Sequence, residues 1–203
     1  MTQLSEALPA HVVNTSDVQV YDHIGALCRI IANGSMTGGA YSIVEERARA
    51  GYMAPRHVHE REAETFIVLS GELEGWVAGT VSQVTEGNFV YLPANLEHAF
   101  RIVSPTAHFL TLITPAGFES FFGDSGIALQ QDFDGELPIP GPLSPEDGAA
   151  LQAILTPLGC TITGPPPFSP ECTTSGASLP PGHPSTPARA GSVNQRSSSH
   201  ARS

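Results

Sequence analysis

The chain has 203 residues, with nine arginines and no lysine set against twenty acidic residues, for a formal net charge of −11. That balance argues against nucleic acid or an anionic membrane surface as the main partner. The length allows one or two domains, and roughly 150 residues suffice for a small barrel that buries its own core. In chain order, short apolar or alternating runs occupy residues 18–21, 26–32, 40–45, 66–69, 74–78, 89–92, 98–103 and 108–113. Glycines separate several of them, with Gly71, Gly75 and Gly87 in turn positions. Strands at this spacing predict an all-β sandwich or barrel. Thr114-Pro115 then offers an N-cap with proline at N1, predicting a short helix through Phe118, Phe121 and Phe122. Ser144-Pro145-Glu146-Asp147 repeats the start signal for a helix reaching about Leu158, with Ala150, Leu151, Ile154 and Leu155 on one face.

From Gly164 onward proline, serine, glycine and threonine dominate, and such a segment has too little apolar surface to offset its ordering entropy. The expected organisation is a single β-barrel domain with C-terminal helices over 1–163, followed by a disordered tail over 164–203. No internal repeat suggests a second barrel. Cys28, Cys160 and Cys172 are odd in number and form no CxxC pair, so neither a disulfide framework nor a zinc ribbon is indicated. The first ten residues, MTQLSEALPA, lack a basic region and an apolar stretch, and no run of eighteen apolar residues occurs. A soluble cytoplasmic protein is expected, and arginine without lysine suits a GC-rich bacterial genome.

Residues 51–71 are GYMAPRHVHEREAETFIVLSG and residues 87–102 are GNFVYLPANLEHAFRI. His57 and His59 stand two apart, so on a strand both imidazoles leave the same face. Glu64 follows a polar stretch long enough to turn the chain, and His98 follows a second apolar run, Pro93 and a short turn. Three imidazoles and one carboxylate form an N/O set suited to Fe, Mn, Ni, Cu, Co or Zn, and the lack of thiolates argues against a soft-ligand site. These two segments resemble the paired motifs of the cupin superfamily. Gly51, His57, His59, Glu64 and Gly71 match the first motif, and Gly87, Pro93 and His98 match the second. Asn95 stands where the second motif has glycine, and Ile102 where it has asparagine. Asn tolerates positive φ best after glycine, and neither departure removes a ligand. The resemblance implies a single cupin domain, a double-stranded β-helix or jelly-roll barrel, holding its metal with His57, His59, Glu64 and His98.

TPAGFESFF after the last strand and GPPP at 164–167 further resemble the bacterial single-cupin proteins called quercetin 2,3-dioxygenase-like, over about residues 12–167. Ala63 departs from the acidic residue expected between Glu62 and Glu64. The resemblance implies one divalent transition metal (Fe, Mn, Ni, Cu or Co), with a flavonol or other small aromatic molecule and O2 as partners. The implied reaction inserts both oxygen atoms into the heterocycle and releases carbon monoxide. A metal-binding carboxylate can also remove the substrate's proton, so Glu64 is the candidate base. Phe66 and Phe100 share strand parity with Glu64 and His98 and should point inward. Phe118, Phe121 and Phe122 could cap the mouth of the substrate pocket.

Plainer roles compete with each of these. His108 lies on a later strand and is expected to be structural, while His11, His23, His183 and His200 are expected to be solvated. Glu60 and Glu62 decorate a turn, with Glu62 the runner-up to Glu64, and Arg56 and Arg61 pair with them at the surface. The phenylalanines of 118–122 serve equally as core anchors. Fold does not imply function. An isomerase, epimerase or cyclase acting on a polyketide- or sugar-like intermediate is one alternative. A non-catalytic small-molecule-binding cupin is another, and a homodimer stays open.

Overall fold

The structure, a computed structural model, describes residues 8–168, so most of the expected 164–203 tail, with Cys172, His183 and His200, lies outside the described residues. Twelve strands dominate it. They are β1 Val20–His23, β2 Ala26–Ala32, β3 Ser42–Arg49, β4 Arg56–His59, β5 Ala63–Ser70, β6 Glu72–Val77, β7 Thr80–Thr85, β8 Phe89–Leu92, β9 His98–Ile102, β10 Thr106–Thr114, β11 Ile127–Leu129 and β12 Cys160–Gly164. Three helices accompany them, α1 Gly34–Thr37, α2 Ser120–Asp124 and α3 Pro145–Leu155. Two antiparallel sheets result, one ordered β11-β1-β2-β3-β10-β5-β8 and the other β12-β4-β9-β6-β7.

Local sequence explains the connections. Ile24 and Gly25 take φ of 56° and 94° between β1 and β2, and Ala78 and Gly79 take 45° and 95° between β6 and β7. Two consecutive positive φ values make the turn whose twist matches paired strands. Gly71, at φ +83°, is the corner at which the chain passes from the first sheet to the second, and a Cβ there would lie 2.8 Å from Ala107 Cα. Along β10, Ala107, Phe109, Thr111 and Ile113 are buried in alternation. Ala107 and Phe109 share the main core with Phe66 and Val68 of the adjacent β5 and with Leu73, Phe100 and Ile102 of the other sheet, while Ile113 joins a second cluster with Val44 and Phe118. Fully burying a side chain such as Phe109 contributes about 1.5–3 kcal/mol relative to leaving it exposed.

The all-β jelly-roll expectation holds, but the sheets do not close into a barrel. The outer strands are β8 and β11 on one sheet and β7 and β12 on the other, and no ladder joins these edges among the described residues. The chain changes sheet at corners such as Gly71, so two layers pack face to face instead of forming one continuous ladder. Several elements differ from the sequence expectation. Thr114 is the last residue of β10 and not a helix cap, and α2 begins only at Ser120. There the Glu119 carboxylate accepts hydrogen bonds from the Gly34 and Gly117 amides. Residues 160–164, for which the sequence announced no strand, form β12 against β4. The strand β7 and the short elements α1 and β11 had no strong apolar run to announce them.

α3 follows its signal closely. The Ser144 hydroxyl accepts from the Asp147 amide, while the Asp147 carboxylate accepts from the Ser144 amide and hydroxyl, a reciprocal cap with Pro145 at the first turn. The α-helix ends at Leu155 and continues as a tighter 3-10 turn over Thr156–Leu158. Leu155, with Phe118 and Phe122, packs on Cys28, Val44 and Ile113 of the large sheet. No helix among the described residues is long and apolar enough to cross a membrane.

Candidate metal centre and its pocket

His57 and His59 leave the same face of β4, as their spacing requires, and β9 lies beside them with His98 opposite His57 in register. These three imidazoles belong to the five-stranded sheet, whereas Glu64 reaches them from β5 in the other sheet. The turn preceding β9 is tied to this strand. Asn95, at φ +63°, donates from its amide to the His59 carbonyl at 2.7 Å and from its side chain to the Glu60 carbonyl at 3.3 Å. One ligand-type atom from each of His57, His59, Glu64 and His98 falls within 4.8 Å of the others.

Each imidazole has a defined orientation. Nδ1 of His57 lies 2.9 Å from the Pro55 carbonyl, and Nδ1 of His98 lies 2.8 Å from the Leu96 carbonyl. A carbonyl can only accept, so both Nδ1 atoms carry hydrogen and both Nε2 atoms present lone pairs when the rings are neutral. Nε2 of His59 and of His98 lie 3.5 Å and 3.3 Å from Glu64 Oε2. His59 Nδ1 is buried without a hydrogen-bond partner. Glu64 Oε1 accepts no hydrogen bond among the described residues.

The electrostatics suit a cation. Burial would raise the Glu64 carboxyl, but the three surrounding histidines outweigh it and hold the group at about 2. Burial, reinforced by His98, drives His57 down to about 3, so this ring is neutral. His98 moves the other way: burial opposes its charge, yet the hydrogen bond and charge of Glu64 raise it. A proton on His98 thus answers the carboxylate as a metal ion would. Neutral imidazole lone pairs, an ionised carboxylate and convergent geometry fit a divalent transition metal.

Beside this cluster lies a pocket of about 110 Å³. His57 is the one of the four that lines it; the apolar wall includes Phe66, Phe100, Phe118, Phe121 and Phe122, the five phenylalanines singled out in the sequence. Leu151 and Leu155 of α3 complete one side. The His59 ring meets Phe118 edge-on at 4.3 Å. An open groove outside shares Ile24, Leu143 and Leu151 with the pocket wall.

The other histidines and acids singled out in the sequence lie outside the four clustered groups. His23 was expected in solvent but is 3% exposed and lines the pocket. Its ring packs on Phe121 and Phe122 at 4.9 and 4.8 Å, its Nδ1 is 3.4 Å from the Tyr52 hydroxyl, and burial lowers it to about 4. Glu62 is buried in its turn, 3.6 Å from Arg61, and is not among the four clustered groups. Arg56 stands over the Trp76 ring instead of pairing with Glu60 or Glu62. His108 bonds Glu45 at 2.8 Å beside Arg29, away from the cluster, and His11 is exposed.

Sequence inspection missed Glu46, Thr111 and Cys160. Glu46 occupies the inward position between Val44 and Ala48, a signal available in the alternation of β3. Burial pushes its carboxyl up to about 8, with Glu64 adding to the rise against a hydrogen bond from Thr111. Cys160 Sγ lies 4.0 Å from His59 Nε2, and burial, then Glu64 and Glu62, push the thiol up to about 12. It is a neutral neighbour of the cluster.

Residues 44–113 match the family described as the cupin domain. The chain is 29% identical over 126 residues to a quercetin 2,3-dioxygenase of Bacillus subtilis (strain 168), covering 62% of this chain and 37% of that protein. It is 28% identical over 116 residues to a quercetin 2,3-dioxygenase of Aspergillus japonicus, covering 53% and 31%. The chain therefore spans about a third of the length of these curated relatives. Among solved structures, KdgF from Halomonas sp. aligns at a TM-score of 0.49 and 18% identity, covering 55% of this chain and 98% of that one.

Proposed function

Residues 44–113 are a cupin domain, and from that premise we propose that the chain is a metal-dependent ring-cleaving dioxygenase acting on a flavonol or related enolic aromatic with O2. The similarity to quercetin 2,3-dioxygenases supports this activity. The observation that carries it is the setting of Glu64. Its Oε2 faces His59 and His98 while Oε1 is unengaged, and the group is held ionised at about 2. An ionised carboxylate with an unengaged oxygen can accept the proton of an enolic hydroxyl whose own acidity would be raised by the metal it binds.

His57, His59, Glu64 and His98 would hold the metal, which would supply Lewis acidity and access to O2 chemistry. The carbonyls of Pro55 and Leu96 fix the orientation of His57 and His98 through their Nδ1 hydrogens. Phe66, Phe100 and Phe118 offer flat apolar surfaces to an aromatic ring and keep water from the reacting atoms. The reaction inserts both atoms of O2 into the substrate and expels one ring carbon as carbon monoxide.

A second activity is favoured by the pocket itself. Its volume of about 110 Å³ is small beside the roughly 300–1,000 Å³ of sites that enclose drug-sized ligands. A smaller substrate, turned over by isomerisation, epimerisation or cyclisation or merely bound, would fit without change. A flavonol requires the wall at Ile24, Leu143 and Leu151 to open toward the outer groove. The deciding experiment loads the protein separately with Mn, Fe, Co, Ni and Cu and follows O2 and carbon monoxide with quercetin. Stoichiometric O2 uptake and carbon monoxide release support the dioxygenase. Metal-loaded protein that consumes no O2 with any flavonol refutes it and leaves the second activity.

A further inference from the structure

The pocket wall contains a buried carboxyl that the candidate metal centre does not use. Glu46 is 2% exposed, inward on β3, and lines the pocket. Thr111 Oγ1, on the neighbouring β10, donates to its Oε1 at 2.6 Å. Oε2 has no hydrogen-bond partner among the described residues. A carboxyl oxygen on a pocket wall with no partner in the protein is available to a ligand. Around it the wall is aromatic, with Phe66 of β5 in the same sheet, Phe100 of β9 in the facing sheet and Tyr52 nearby.

Register gives its place relative to the candidate metal centre. In the order β3-β10-β5, Glu46 is level with Phe109 and Val68, whereas Glu64 is level with Ile113 and Ser42. Strand rise and spacing put the two Cα atoms roughly 16 Å apart on the same inner face. A flat aromatic molecule with its reacting oxygen at the histidines would therefore extend toward Glu46. Because burial raises this carboxyl to about 8, it is a neutral acid at pH 7, with one hydrogen to give and a carbonyl oxygen that accepts. A phenolic hydroxyl has the matching donor and acceptor, and an unsubstituted ring edge has neither.

We infer that Glu46, oriented by Thr111, binds a ring hydroxyl of the substrate remote from its reacting oxygen, and so selects polyhydroxylated aromatics over unsubstituted ones. This inference rests on the flavonol reading of the same pocket. The test compares quercetin with 3-hydroxyflavone, which keeps the reacting hydroxyl but has no other. Glu46→Leu should lower kcat/KM for quercetin about tenfold more than for 3-hydroxyflavone, the size of one neutral hydrogen bond. The loss should fall mainly in KM. Glu46→Gln should restore most of the preference, and Thr111→Val, which frees the carboxyl without removing it, should weaken it several-fold.

Parallel losses for the two compounds in Glu46→Leu would assign the residue a structural role and overturn the inference. If Glu46→Leu does not fold, an unchanged preference in Thr111→Val has the same meaning. Anaerobic absorbance titration of both compounds into metal-loaded protein keeps the test separate from turnover. A wild type that consumes no O2 refutes the dioxygenase alone, while the ratio of the two dissociation constants in wild type and variants still decides the role of Glu46.

Discussion

His23 supplies a prediction whose size follows from its surroundings. Its ring is enclosed by Phe121, Phe122 and the Tyr52 hydroxyl, and burial lowers it from the ordinary value of 6.5 to about 4. The unfolded chain therefore takes up the proton first as pH falls. The neutral ring contributes its full stability above about pH 6.5, and that contribution drains away as pH falls toward 4. The loss is about 2 kcal/mol at pH 5 and about 3 kcal/mol at pH 4. His23→Leu fills a similar volume and cannot titrate. It also leaves the Tyr52 hydroxyl without its partner, a cost independent of pH in this range. The quantity to read is thus the change with pH and not the absolute stability. Urea unfolding of metal-free wild type and His23→Leu at pH 8, 6 and 5 should show the wild type losing about 2 kcal/mol more than the variant between pH 8 and 5. Other groups, His57 among them, titrate in both proteins and cancel in the comparison. Parallel losses in the two proteins would refute the assignment of His23 as a buried neutral ring.

The purified protein should contain about one divalent transition metal per chain, and elemental analysis of a His57→Ala/His59→Ala double variant should find almost none, since half the clustered groups are gone. Glu64→Gln keeps size and an oxygen donor but removes basicity; metal should be partly retained while flavonol-dependent O2 uptake falls ~10²–10⁴-fold, measured on metal-matched samples. Gly71→Ala should lower the melting temperature by many degrees or prevent folding, because its φ of +83° and the 2.8 Å approach to Ala107 Cα leave no room for a Cβ, and calorimetry gives the answer directly.

Elements with a local cause were legible along the chain. The two-residue offset of His57 and His59 put both rings on one face because strand side chains alternate. Ser144-Pro145-Glu146-Asp147 announced α3 because the cap is made by residues three apart. Asn95 could be assigned a positive φ from its own side-chain chemistry, and it has one. Tertiary structure decided what depends on partners far along the chain. β12 pairs Cys160 and Ile162 with His59 and His57, a hundred residues earlier; its β-branched run Thr161–Thr163 suits a strand but is too short to announce one. The layers remain two open sheets because corners and short edge strands govern closure, which no single strand encodes. His23, ordinary beside polar neighbours, becomes a neutral buried ring only when Phe121 and Phe122 cover it. Glu46, one acid among several in β3, becomes a protonated pocket group only through the burial and the Thr111 hydroxyl that β10 provides. Protonation and solvation are set by the three-dimensional neighbourhood, and a one-dimensional pattern fixes only which face of a strand a side chain will leave.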